Sequence, residues 1–136
     1  MIALEPLCAL AANTMSNGSG QPKESENTIT KALMVLSEQG LYAFGLFLAT
    51  RKRKQDEEPA KAIHRAVCDL LAKAGLAPVE KTNSWPDYYR ELTQQREGKE
   101  NEATALRRVL LTKQVVEMAL TYGRYHAKAL GNASGS

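Results

Sequence analysis

The sequence has little of what builds a disulfide scaffold, a zinc site or a membrane span. It holds two cysteines, Cys8 and Cys68, which are far apart, and neither lies in a CxxC or Cys/His ligand spacing. No apolar run approaches the roughly 20 residues that a bilayer-crossing helix needs. The apolar opening MIALEPLCALAA carries Glu5 and Pro6 and lacks the positive start of a secretory signal. These absences favour a soluble protein of the reducing cytoplasm.

Catalytic signatures are missing too, since there is no Gly-rich phosphate loop, GxSxG elbow or HExxH motif. The only histidines, His64 and His126, lie amid alanines, which favours structural or surface imidazoles over metal ligands. Cys68 follows His64 by one helical turn, which permits a thiol and imidazole pair. Its place beside an apolar stripe instead predicts a buried, inert thiol. The sequence therefore predicts no enzyme, no cofactor and no metal.

What the sequence does have is apolar content for one core. It contains 136 residues, of which 43% are hydrophobic, and this length suits a single compact domain. Its formal net charge is +3, a mild excess that permits binding to RNA or DNA without requiring it. Residues 13–27 are polar and rich in Gly and Ser, so they bury too little apolar area to offset the entropy of ordering. We expect a disordered tail over 1–27, a helical domain over 28–130 and a flexible tail over 131–136.

Apolar residues spaced by three and four predict an all-α bundle of four or five helices. The first helix begins at Asn27 or Thr28, and Gly40 predicts either a break after Gln39 or a bend, of which we favour the break. No stretch shows the period-two alternation of a strand.

The later helices have clear start and stop signals in the sequence. The cluster from Asp56 to Pro59 suits the start of an amphipathic helix, and Gly75 suits its left-handed stop. Ser84 resembles the cap of a short helix starting near Trp85. A long last helix is expected from 100 to 130.

The end of that last helix, LTYGRYHAKALG, crowds ionisable and aromatic residues. A helical projection puts Arg124 and Lys128 on one solvent-facing edge, one turn apart. It also predicts two apolar faces, and hence contact on two sides; one face holds Val109, Val116, Leu120, Gly123 and Ala127, and the other Leu111, Val115, Met118, Tyr122 and Tyr125. The edge is either an ordinary solvated surface or a phosphate-binding stripe. The tyrosines are expected to pack rather than to stack on bases.

A second basic cluster, RKRK, comprises Arg51, Lys52, Arg53 and Lys54. Cations are expected near a helix C-terminus, where they compensate the dipole. Four in a row exceed that need, so a phosphate patch is the competing interpretation.

The order of these segments resembles the small α-helical subunit of type III CRISPR ribonucleoprotein complexes, particularly the type III-B (RAMP module) version. The segments that carry the resemblance are TKALMVLSEQGLYAFGLFLATRK, a capped helix, a Trp-led short helix and LLTKQVVEMALTYGRYHAKAL, so it spans 28–130.

The resemblance implies a non-catalytic subunit that stacks with copies of itself and with other subunits of the effector complex. It also implies contact with the backbones of the crRNA and target RNA, for which the candidates here are Arg51, Lys52, Arg53, Lys54, Arg124 and Lys128. The alternative is a helical protein-protein adaptor without nucleic-acid binding. A helix-turn-helix DNA binder ranks third, because the turn at 75–84 is too long and the one at 98–100 is poorly placed.

Overall fold

The structure, a computed structural model, describes residues 4–17, 22–51, 54–78, 84–94 and 100–135, with the side chains of 54–56 and 133–135 left out. The described part holds six helices and no strand: α1 (Leu4–Asn17), α2 (Pro22–Gln39), α3 (Leu41–Ala49), α4 (Lys54–Lys73), α5 (Trp85–Leu92) and α6 (Glu102–Gly135). The all-α prediction with a long last helix is confirmed. The count exceeds the expected four or five because the predicted N-terminal tail contains a helix.

The prediction of a disordered tail over 1–27 is wrong for the residues that the structure describes there. Helix α1 buries Cys8, Ala11 and Met15 against the core, and α2 begins at Pro22 rather than at Asn27 or Thr28. The described parts of the polar stretch that suggested disorder, 13–17 and 22–27, belong to the end of α1 and the start of α2. Burial of one apolar face on neighbouring helices supplies the stabilisation that the composition of the segment alone does not show.

Gly40 separates α2 from α3, so the predicted break after Gln39 is confirmed. Its φ of 98° lies in the region that only glycine adopts without strain. Gly40 N–H donates to the Leu36 carbonyl and its own carbonyl accepts from Phe44 N–H, each at 3.0 Å, so one helix ends and the next begins at a single residue.

Helix α4 ends as predicted and begins earlier than predicted. Gly75 has a φ of 74°, and Leu76 N–H donates to the Leu71 carbonyl at 2.9 Å, which is the bond of a left-handed stop. At the other end, Lys54 opens the helix and Pro59 lies inside it rather than in its first turn.

Side-chain hydrogen bonds hold both ends of helix α5. The Ser84 hydroxyl accepts from Asp87 N–H at 3.4 Å, which confirms the predicted cap. At the other end, the Arg108 guanidinium of α6 donates to the carbonyls of Leu92 and Gln94 at 2.8 and 2.6 Å. Arg108 also pairs with Glu100 at 3.0 Å, and the two side chains are only 9% and 6% exposed. Arg108 therefore fixes the end of α5 against the start of α6.

The long helix α6 packs on α1 and α2, while α1 also packs on α4, and α3 packs on α5. Helix α6 continues through 131–135, so the prediction of a flexible tail is wrong for these residues. Gly123 lets α1 approach closely, because a Cβ there would lie 2.6 Å from the sulfur of Met15. Among the helices of the described ranges, none is long and apolar enough to cross a membrane.

Candidate functional sites on two sides of the bundle

The basic edge of α6 lies in solvent. Arg124 and Lys128 are both exposed and one turn apart, as the helical projection predicted. Neither has an ion pair within the described residues. Their charges are therefore open to an anion from outside the chain.

The RKRK cluster is less open where the structure describes it. Arg51 is half-buried, and its guanidinium lies 4.2 Å from the centre of the Phe47 ring, a cation–π contact. Lys52 and Arg53 fall outside the described residues, and Lys54 is described only as the first residue of α4.

The apolar faces predicted for α6 have different environments. On the first face, Val116, Leu120, Gly123 and Ala127 are buried and Val109 is half-buried, which confirms that face. On the second face, Val115 is buried and Tyr122 half-buried, but the remaining three are exposed by 38–66%: Leu111, Met118 and Tyr125. Among the described residues no other helix covers these three, so the contact expected on this side of α6 is not made within that part of the chain.

We call Leu111, Met118 and Tyr125 the outer stripe. They recur every seven residues, so they align along one side of the helix. Leu106 and Leu110 are also exposed, by 60% and 50%, on the edge that carries Arg124 and Lys128. The outward surface of α6 therefore combines large apolar side chains with open cations.

His126 faces inward instead. It is half-buried, and its Nδ1 is hydrogen-bonded to the hydroxyl of Ser16, a buried residue of α1. The hydroxyl also donates to the Ala12 carbonyl at 2.8 Å. His126 thus joins α6 to α1, in agreement with the structural role expected from the sequence.

A second candidate site lies on α4, beside the start of α5. An open cavity of about 410 Å³ is lined by Lys61, His64, Arg65, Cys68, Asp69, Ala72 and Trp85. A neighbouring hollow of about 370 Å³ shares Lys61 and Trp85 with it and reaches Arg51. Trp85, the only tryptophan of the chain, therefore contributes to both walls.

His64 stands at the centre of an aromatic cluster behind this cavity. Its ring is stacked on that of Trp85, with centroids 4.3 Å apart and planes 23° apart. The ring centroids of Tyr88 and Tyr89 lie 5.7 and 5.5 Å from that of His64. His64 Nδ1 lies 2.9 Å from the Tyr89 hydroxyl. These contacts hold the imidazole in one orientation.

Cys68 is placed against that imidazole. Its sulfur lies 3.5 Å from His64 Nε2 and 3.8 Å from Nδ1, and the residue is half-buried at the cavity wall. The predicted inert, buried thiol is therefore wrong in its burial. The spacing of four residues indicated the pair, but the sequence did not show which side of the apolar stripe Cys68 occupies.

Gly45 of α3 packs against the Tyr89 ring of the aromatic cluster. A Cβ at this position would lie 2.6 Å from Tyr89 Cγ, so only glycine leaves room for the buried tyrosine ring. Phe44 meets the same ring edge-on at 5.4 Å. The glycine inside an otherwise apolar helix thus marks a close helix approach that sequence analysis did not assign.

Comparison of the chain with protein-family models, with curated proteins and with solved structures finds no match.

Proposed function

We propose that this chain is a non-catalytic small subunit of a type III-B CRISPR RNA-guided antiviral effector complex in the cytoplasm. In this proposal it stacks with copies of itself and with other subunits, and its basic surfaces contact the backbones of the crRNA and target RNA. The starting point is the resemblance of the segments over 28–130. The observation that carries the proposal furthest is the outward surface of α6, where the outer stripe adjoins open cations.

The outer stripe supports a role in assembly. Three large apolar side chains aligned along one helix cost hydration free energy while they face water, and a neighbouring subunit removes that cost. A residue such as Tyr125, 66% exposed, also brings the aromatic area and hydroxyl that interfaces favour. The stripe runs along a rigid helix, so repeated subunits can use the same surface in the same geometry.

The basic edge supports contact with an RNA backbone. Arg124 and Lys128 are spaced by one turn, and a phosphate chain passing along α6 can meet both. No enclosed pocket for a base is needed, because in an RNA-guided complex base pairing reads the sequence. The protein then supplies charge and position only.

A helical adaptor without nucleic-acid binding is the second candidate, and a specific observation favours it. Arg51 is engaged with Phe47 and Arg108 with Glu100, which leaves fewer cations for phosphate than the sequence suggests. In that case the outer stripe is the functional surface, and the cations of α6 serve solubility.

The test is RNA binding by the complex assembled with Arg124→Ala/Lys128→Ala. Loss of two phosphate contacts should reduce the slope of log affinity against log salt by about 0.7 to 0.9 per contact. Lys31→Ala, which removes an exposed cation from α2, is the matched control and should leave the slope unchanged. An unchanged slope in the α6 variant, with assembly intact, would support the adaptor. Failure of the chain to join the complex would reject both the subunit role and its RNA contacts.

A further inference from the structure

We propose that Cys68 is a site of reversible modification by small disulfides, which enter the α4 cavity and form a mixed disulfide with its sulfur. The proposal concerns the α4 cavity and not the α6 surface, and it does not depend on the proposed function. It rests on a thiol, an imidazole and an open cavity brought together by α4 and α5.

The first step in the argument is access. Cys68 is half-buried at the wall of a cavity of about 410 Å³, so a small molecule can reach its sulfur without unfolding. Cys8 offers the internal contrast. Cys8 is fully buried, its thiol donates to the Val115 carbonyl at 3.6 Å, and burial raises the pKa of the Cys8 thiol. Only one of the two cysteines is both reachable and beside a base.

The second step is activation. His64 Nε2 lies 3.5 Å from the Cys68 sulfur, within reach of an S–H···N hydrogen bond. In the tautomer whose Nδ1–H donates to the Tyr89 hydroxyl, Nε2 carries the lone pair that accepts the thiol hydrogen. Tyr89 thus orients the base, as the third member of a nucleophile, base and orienting group. Stacking on Trp85 prevents the ring from turning away.

The third step is the charge around the sulfur. Lys61, Arg65 and Asp69 of α4 line the cavity, and α5 contributes Trp85, which is uncharged. Lys61 is paired with Glu57 at 3.0 Å, whereas Arg65 is exposed. Arg65 and Asp69 thus place one positive and one negative charge at the cavity wall, which suits the carboxylates and ammonium groups of a zwitterionic disulfide such as glutathione disulfide.

The reaction balances without a metal or a further oxidant. The Cys68 thiol gives its proton to His64 Nε2, and its sulfur attacks one sulfur of the small disulfide. A new S–S bond forms as the old one breaks, and the departing thiolate takes the proton from the imidazolium. Cys68 is oxidised, half of the small disulfide is reduced to a free thiol, and excess free thiol reverses the exchange.

The experiment treats the reduced, full-length chain with glutathione disulfide at neutral pH and follows adducts by intact mass and peptide mapping. We expect one adduct, at Cys68, formed at least about tenfold faster than any at Cys8. Because Trp85 is the only tryptophan and lines the cavity, its fluorescence should change in step with the adduct. Reduced glutathione should restore both signals, and Cys68→Ser should show neither.

Two variants separate activation from mere exposure. His64→Gln removes the base and should slow the reaction about tenfold. Tyr89→Phe keeps the buried ring and removes only the hydroxyl, so it tests the orienting bond if the first variant is unstable. Circular dichroism confirms that each is folded. Equal rates at Cys8 and Cys68, or an unchanged Cys68 rate in a folded Tyr89→Phe chain, would overturn the proposal.

Discussion

Helices α5 and α6 each carry a pair of tyrosines near basic residues, yet their environments are opposite. In α5, Tyr88 and Tyr89 are buried around His64, whereas in α6 Tyr125 is 66% exposed and Tyr122 is half-buried. The neighbours make the difference. Residues of α3 and α4 close over α5, while within the described ranges α6 packs mainly on α1 and α2 and leaves Tyr125 exposed. Tyrosines beside cations therefore indicate neither a core nor a binding surface until the packing around them is known.

The largest effect is expected where α5 and α6 meet. Arg108→Met removes the guanidinium that pairs with the Glu100 carboxylate, a side chain only 6% exposed, together with its bonds to the Leu92 and Gln94 carbonyls. Breaking a buried ion pair in this way costs about 3 to 5 kcal/mol of unfolding free energy. Urea unfolding of the wild type and the variant measures this difference in unfolding free energy. The double variant Arg108→Met/Glu100→Gln should recover part of the loss, and a single variant as stable as the wild type would show that α5 needs no anchor.

A substitution under the aromatic cluster tests the enclosed side of the comparison. Gly45→Ala places a Cβ against the buried Tyr89 ring, and overpacking of this kind costs about 1 to 3 kcal/mol. Gly131→Ala is the matched control. The nearest atom, Cβ of Pro22, would lie 3.8 Å from the new methyl group, and alanine should stabilise the helix by about 0.5 to 1 kcal/mol. Thermal unfolding of both variants should therefore shift in opposite directions.

The inner side of α6 should respond more mildly. Ser16→Ala removes the hydroxyl that is bonded to His126, and one lost hydrogen bond costs about 0.5 to 1.5 kcal/mol. Thr14→Ala, whose hydroxyl donates to Leu10 at 3.1 Å on the exposed side of the same helix, should change stability by less than about 0.5 kcal/mol. Equal losses in the two variants would mean that the bond to His126 contributes nothing of its own.

The smallest effect on stability is expected at the outer stripe. Leu111→Ser, Met118→Gln and Tyr125→Ser should each change the unfolding free energy of the chain by no more than about 0.5 kcal/mol, because all three are exposed. The proposed stacking predicts concentration-dependent self-association of the wild type in sedimentation, and the triple variant should abolish it. If the triple variant loses much stability at a concentration too low for self-association, the outer stripe is covered within the chain itself.

The sequence by itself determined the features that depend on neighbours along the chain. It predicted the all-α class, the break at Gly40, the left-handed stop at Gly75 and the Ser84 cap, because glycine conformation and capping bonds act within one turn. It also placed Arg124 and Lys128 on an exposed edge, since helical periodicity fixes which residues share a side.

Only the tertiary structure decided which apolar residues find a partner. Helix α1 is ordered because α4 and α6 cover Cys8 and Met15, and no local signal shows those neighbours. The same holds for Gly45, which is defined by a ring 44 positions away in sequence, and for Cys68, which lies beside a cavity rather than in the core. Burial depends on contacts between distant segments, whereas the pattern of one segment records only that it has an apolar side.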